Sequence, residues 1–184
     1  KVTDLIIVGD AFAKPIAKAL DDALDAGKPH DISSIGMVIS SGVMWTAEVK
    51  QRMLKHHDMM LIDAMGSTEG SMGRSITNRQ SDSSTAKFDM GEHTKVFNDN
   101  DEEVKAGSEE KGMIAAGGMV PVGYYKDPEK SAKTFRTIDG ERYSFPGDYA
   151  IVAADGSIKL LGRGSVCINS GGEKIFPEEV EEAV

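Results

Sequence analysis

The sequence predicts an α/β first half built on parallel strands, followed by a mostly β second half. Three observations predict it. Short apolar runs alternate with amphipathic helical stretches over the first 80 residues, the helical period is lost near residue 80, and short strands between turn signals follow. The expected division is an α/β portion over 1–80, a β portion over 81–163, and an ordered joint over 164–184.

Leu5-Ile6-Ile7-Val8 reads as the first strand. Gly9-Asp10 leads into a helix with Ile16, Leu20 and Leu24 on one face, Pro15 in its first turn and Gly27 as its stop. Ile35 to Ile39 is a second buried strand, followed by Ser40-Ser41-Gly42-Val43. A helix capped by Thr46 comes next, with Glu48 in its first turn and Val49 and Met53 turned inward. Met60 to Met65 is a third strand. It stops abruptly at Gly66-Ser67-Thr68-Glu69. Ligands bind beyond the carboxyl ends of such strands, so the loops at 41–43 and 66–69 are expected at one edge. From Arg79 to Thr94 the chain is polar. Then come strands at Lys95-Val96-Phe97 and Gly112 to Ala116, and a helix with Asp127 as cap, Pro128 first, and Ala132 and Phe135 inward. A hairpin joins Tyr149–Ala153 to Ile158–Leu161 through Asp155-Gly156.

A chain of 184 residues can bury roughly two thirds of its unfolded surface. With 21 Lys and Arg against 30 Asp and Glu, the net charge of −9 argues against nucleic acid or an anionic membrane as the main partner. The single Cys167, with no signal peptide and no long apolar run, points to a cytoplasmic protein without a transmembrane segment. The chain starts without Met and stops inside an apparent helix, so a piece of a longer protein is expected.

The chemistry is expected at residues 66–69. Gly66 allows close approach of a ligand, Ser67 and Thr68 offer hydroxyls and amides to phosphate, and Glu69 suits a hard cation such as Mg²⁺. The same four residues are also ordinary turn composition. Asp148, after Phe145-Pro146-Gly147, stands where a carboxylate can accept from two vicinal hydroxyls, as on a ribose; a type II turn is the alternative. Met44, Met65 and Met72 near the loops are candidates for an adaptable apolar pocket, with the core as the other reading. His56 and His57 follow a helix without a partner at ligand spacing, which argues against a metal site there.

Taken in order, Val8-Gly9-Asp10-Ala11-Phe12, Ser40 to Trp45, Gly66 to Glu69, Ser144-Phe145-Pro146-Gly147-Asp148 and Gly162-Arg163 through Glu181 resemble the motifs of the acyl-CoA synthetase, luciferase and peptide-synthetase adenylation superfamily. The resemblance covers the whole chain and is strongest to bacterial fatty-acyl-CoA ligases, including those acting on sterol side chains. It implies part of a large N-terminal domain, with an α/β layer, a small distorted β-barrel and a hinge. It also implies ATP-dependent activation of a small-molecule carboxylic acid through acyl-AMP, followed by thioester formation with CoA.

The resemblance also implies roles. Ser41, Gly42 and Val43 would line adenine and the acyl pocket, with Met65 where an aromatic commonly stacks and Gly66 and Ser67 beside it. Thr68 would hold the α-phosphate, Glu69 the Mg²⁺, and Asp148 the ribose hydroxyls of ATP or AMP, with Arg163 nearby. Lys174 would approach phosphate, and Gly171 and Gly172 the pantetheine of CoA. Ser165 takes the hinge position, where relatives often have Asp or Lys. Phe145-Pro146 replaces Arg-Thr and Asn169 replaces Lys. The family's phosphate loop and C-terminal catalytic lysine are expected outside this segment, which alone is expected to be inactive. A homo-oligomer is compatible with these features. The rivals are a luciferase-like or peptide-synthetase adenylation domain and a non-catalytic nucleotide-binding module.

Overall fold

The computed structural model describes residues 1–170, 173–176 and 180. The chain divides into two compact units, one of residues 1–65 with 74–86 and one of residues 66–73 with 87–184.

In the first unit, β1 (Asp4–Ile7), α1 (Gly9–Asp25), β2 (Met37–Ser41), α2 (Ala47–His56) and β3 (Met60–Ser67, whose last two residues enter the second unit) alternate. The three strands are parallel with β2 in the centre, Leu5 opposite Val38 and Val38 opposite Leu61. Val38 and Leu61 are fully buried with Ile7, Ala13, Ala17, Trp45, Val49, Met53 and Leu54 in one cluster. The strands follow from short apolar runs buried on the sheet, and α2 from the Thr46 cap, whose side chain accepts from the Val49 amide at 3.4 Å.

Two expectations change here. Helix α1 begins at Gly9, six residues before Pro15, so the proline lies inside the helix. Its missing donor is tolerated because the helix is anchored by the burial of Ala13, Ala17 and Leu20. Leu24 is 53% exposed, because the buried face follows the alanines instead. His56 closes α2, and its Nε2 lies 2.6 Å from Asp21 Oδ1, while Arg52 Nε bonds the other oxygen of that carboxylate.

β3 does not open into a free loop. It turns at Thr68-Glu69 into β4 (Gly70–Thr77), so residues 66–69 form the tip of a β-hairpin. Within the second unit the first half of β4 runs beside β5 (Lys87–Met90), with Gly91 N donating to Met72 O at 3.0 Å. Both strands fall in stretches without a clear alternation of apolar residues.

The rest of the second unit comprises β6 (Thr94–Phe97), β7 (Lys111–Ala116), α3 (Pro128–Thr134), β8 (Phe135–Ile138), β9 (Glu141–Ser144), β10 (Asp148–Val152) and β11 (Ile158–Arg163), then a 3₁₀ turn at Gly164–Val166 and a ribbon of β12 (Ile168–Ser170) with β13 (Glu173–Ile175). The order β5-β11-β10-β7 is antiparallel throughout. β7 pairs with β6 through Phe97↔Met113 and with β10 through Tyr149↔Met113, so these lie on opposite edges. By the same reasoning at Ala116, β9 shares the edge of β10. Strands β9 and β10 are therefore consecutive in sequence and follow one another along one edge of β7. The Phe145-Pro146-Gly147 segment is the break between them. Pro146 has no ladder donor, and Gly147 holds φ +101°, which an L side chain rarely adopts. Phe97, Ala115, Ile138, Tyr143 and Phe145 pack beneath this surface. Helix α3 is capped by Asp127 as expected, but Thr134 is its buried residue and Ala132 is exposed; Phe135 already belongs to β8.

Candidate functional site

The predicted residues fall in both units. In the first, Ser41 pairs with Ala64, so the segment leaving β2 starts beside the end of β3, next to the buried Met65. Ser41, Gly42 and Val43 are exposed, and Gly42 holds φ +89°. Met65 and Met72 are core residues at 8% and 1% exposure, which favours the core reading over a pocket lining.

In the second unit the hairpin tip presents Gly66 and Thr68 to solvent, with Ser67 and Glu69 half-buried. Ser67 Oγ accepts from the Glu69 amide at 3.2 Å, a local bond that fixes the turn. The phenol of Tyr124 donates to Glu69 Oε1. That bond is the main reason the Glu69 carboxyl is held below its ordinary range, and it pushes the Tyr124 phenol up. Lys130 Nζ stands 4.2 Å from the Tyr124 ring centre and adds to the downward pull on Glu69. Ser144 Oγ, fully buried, donates to Glu69 O at 3.2 Å and so ties the hairpin tip to β9.

Asp148 opens β10 immediately after the strand break. It is half-buried, and burial is the chief cause that raises its carboxyl pKa. Arg163 opposes the rise, with Nε 3.5 Å from Asp148 Oδ1 and Asp148 directly opposite Arg163 in the β10–β11 ladder. The negative charge of Glu69 adds to the rise, so the two carboxylates share one electrostatic neighbourhood. Glu69, Tyr124, Asp148 and Arg163 thus form one polar cluster. It has two acids with opposite pKa displacements and one cation free enough to move, since the Arg163 side chain is 56% exposed.

After Arg163 the 3₁₀ turn carries the exposed Ser165. It is anchored by Gly164 N donating to Gly147 O at 2.9 Å and by Cys167 Sγ against Gly164 O. Lys174 pairs with Asn169 in the terminal ribbon, while Gly171 and Gly172 lie outside the described residues. Tyr124 and Ser144 carried no assigned role in the sequence. Tyr124 sits in a Gly-Tyr-Tyr segment without periodicity, and its partner is 55 residues away, so no local signal could have paired them.

Across its length the chain is 45% identical to the medium/long-chain-fatty-acid–CoA/3-oxocholest-4-en-26-oate–CoA ligase of Mycolicibacterium smegmatis, covering all of this chain and 34% of that protein. It is 44% identical to the 3-oxocholest-4-en-26-oate–CoA ligase of Rhodococcus rhodochrous, again over all of this chain and 34% of the relative. The crystal structure of the anthranilate CoA ligase AuaEII with anthranoyl-AMP superposes with a TM-score of 0.77 at 26% identity, covering 98% of this chain and 33% of that one. No protein-family model matches the chain.

By fold and sequence the chain belongs with the adenylate-forming enzymes. Its relatives among them are acyl-CoA ligases of the fatty-acid and oxocholestenoate type, and it spans about a third of their length. No helix among the described residues is long and apolar enough to cross a membrane.

Proposed function

We propose that this segment supplies the nucleotide- and acid-binding part of an ATP-dependent acyl-CoA ligase that activates a fatty or sterol-side-chain carboxylic acid in the cytoplasm. The observation that carries the reading is the state of Asp148, a carboxylate raised in pKa by burial at a strand break, beside one arginine and one further acid. A buried-edge carboxylate of this kind contributes little to folding, but it can accept two hydrogen bonds from the vicinal hydroxyls of a ribose. Arg163 is placed to shift from Asp148 toward nucleotide. Thr68, exposed at the hairpin tip with Gly66 and Ser67 beside it, offers its hydroxyl and amide to an α-phosphate.

Glu69 fits Mg²⁺ as a single carboxylate ligand, since that ion is commonly held by one or two carboxylates together with substrate phosphates. When bound, Mg²⁺ would neutralise charge developing on the phosphates. The chain's own part is to keep Glu69 ionised, which the Tyr124 phenol does by donating to it. Ser41, Gly42 and Val43 line the acid and adenine, with Met65 behind them, while Lys174, Gly171 and Gly172 serve phosphate and CoA. The organisation follows as residues 1–80, 81–163 and 164–184, with Ser165 as the hinge. A homo-oligomer is compatible with this reading.

The test is pyrophosphate release by the whole protein with ATP and a panel of fatty and sterol-side-chain acids, followed by AMP release on adding CoA. Acid-dependent pyrophosphate release that CoA does not accelerate would point instead to a luciferase-like or peptide-synthetase activity. With no acid dependence the reading fails. In the active protein, Glu69→Gln is expected to raise the Mg²⁺ concentration for half-maximal pyrophosphate release by about tenfold or more, because a neutral amide is a poor ligand for a hard cation. Tyr124→Phe is expected to move the same midpoint in the same direction by less. Its effect should grow as pH is lowered, since the Glu69 carboxyl returns upward toward its ordinary range and protonates sooner. Identical Mg²⁺ titrations for wild type and Glu69→Gln would remove Glu69 from the cation site.

A further inference from the structure

The N-terminus of α1 is used in an unusual way. The first amides of a helix have no partner within it, and an acid in its first turn ordinarily serves those amides. In α1 no side chain caps the helix at Val8. Its free amides and its one first-turn acid instead hold the segment that follows β2. Gly9 N donates to the buried Ser40 Oγ at 2.9 Å, and Asp10 N to Met44 O at 3.0 Å. The Asp10 carboxylate accepts from both donors of Thr46, the amide at 3.0 Å on Oδ1 and the hydroxyl at 2.9 Å on Oδ2. Lys14, one turn on, stands 3.2 Å from Oδ2.

Both shoulders of the segment are thereby pinned, at Ser40 and at Met44 to Thr46, and the buried Trp45 anchors the second. The crest between them, Ser41-Gly42-Val43, projects to solvent with Val43 53% exposed. The fit admits no side chain at Gly9. A Cβ there would lie 2.4 Å from Met44 O and 2.6 Å from Val43 O, and the residue holds φ +48°. A crest held at two fixed points by charge-assisted and buried bonds has a set height.

We propose that Gly9 and Asp10 are positioning residues that set which carboxylic acids the enzyme accepts, by fixing the height of the Ser41–Val43 crest. This rests on the proposed role of that crest in lining the acid pocket. Neither residue touches substrate; each acts through the crest.

The experiment uses the whole protein and acid-dependent pyrophosphate release over a series of fatty acids of increasing length. Asp10→Ala is expected to raise the KM for the preferred acid by about tenfold, as loss of a charge-assisted bond pair implies. The preference among chain lengths should flatten, since neighbouring methylenes are discriminated only weakly to begin with, and the acid KM should move more than the ATP KM, which the adenine-facing part of the same crest also affects. Asp10→Asn keeps an acceptor for the Thr46 amide and is expected to restore most of both. If Asp10→Ala does not fold, Thr46→Val, which removes the hydroxyl held by Asp10 Oδ2, decides on the same readouts, with a flattened chain-length preference as the supporting result. A uniform fall in kcat with all KM ratios intact would overturn the proposal, because a merely structural contact would act in that way. Wild-type enzyme whose chain-length preference is unmoved by Ser41→Ala or Val43→Ala would sink the reading of the crest itself, and the clamp as a specificity device with it.

Discussion

Lys50→Ala is expected to lower the stability of the first unit by about 3–5 kcal/mol, the cost of leaving one member of a buried ion pair without its partner. Lys50 and Asp63 have side chains 1% and 7% exposed, with Nζ 3.2 Å from Oδ2. The same ammonium donates to Ser84 O at 3.0 Å and lies 5.5 Å from the Trp45 ring centre. Removing it strands a carboxylate, a carbonyl and the face of a tryptophan together. Burial already raises the Asp63 pKa, and the lysine is what restrains the rise. The sign follows. A carboxyl whose folded pKa lies above its unfolded value costs stability in full above the folded pKa, and the cost fades as pH falls through the folded toward the unfolded pKa. In Lys50→Ala the restraint is gone, so the deficit should be largest near neutrality and shrink on acidification. The double variant Lys50→Met with Asp63→Leu should recover most of the loss, since an apolar pair of similar volume often replaces a buried ion pair at little cost. Urea unfolding of the wild type and the two variants at pH 5 and pH 8 tests this. A single-variant loss under about 1 kcal/mol, or a double variant no better than the single, would show that the pair is not what holds α2 to β3.

Asp148→Asn in the whole protein is expected to weaken AMP binding by about ten- to a hundredfold, the range for losing charge-assisted hydrogen bonds. It should do so without loss of folding stability. Asp148 has a pKa raised by burial and by the nearby Glu69, with Arg163 only partly offsetting it. Its ionised form is therefore a liability in the free protein at neutral pH, and a neutral amide of the same shape should melt at the same temperature or higher. As pH falls below the ordinary carboxylate range both side chains are neutral, and the advantage should vanish. Calorimetric titration with AMP and melting curves across pH check the two halves. Unchanged AMP affinity would exclude Asp148 from the nucleotide site, and a melting temperature lowered by several degrees would make it a structural residue.

Asp148 shows how far a sequence can be read. The Pro-Gly pair before it breaks a strand by its own backbone chemistry, so the edge position was legible before any fold was known. Its raised pKa was not, because that depends on Arg163 across a ladder and on Glu69 from a hairpin 79 residues earlier in the chain. Strands β1, β2 and β3 and helix α2 were legible for the same local reason: apolar runs and a threonine cap state their own structure. Strands β4 and β5 were hidden because polar residues and glycines in them leave no alternation to read, and the pairing itself makes them strands. The start of α1 was misplaced because Pro15 looks like a first-turn signal, whereas burial of Ala13 and Ala17 carries the helix back to Gly9.

By itself the sequence determined the order of elements from β1 to β3, the caps at Thr46 and Asp127, the break before Asp148 and, through its motifs, the superfamily. Those are properties of neighbouring residues, set by torsional preference, periodicity and local hydrogen bonding. Only the tertiary structure decided that Tyr124 keeps Glu69 ionised, that Lys50 neutralises Asp63 and that Asp10 holds Thr46. Each of these pairs joins side chains 13 to 55 positions apart. A hydrogen bond or ion pair between such residues exists only where the packing of other residues removes water and brings the two groups within bonding distance.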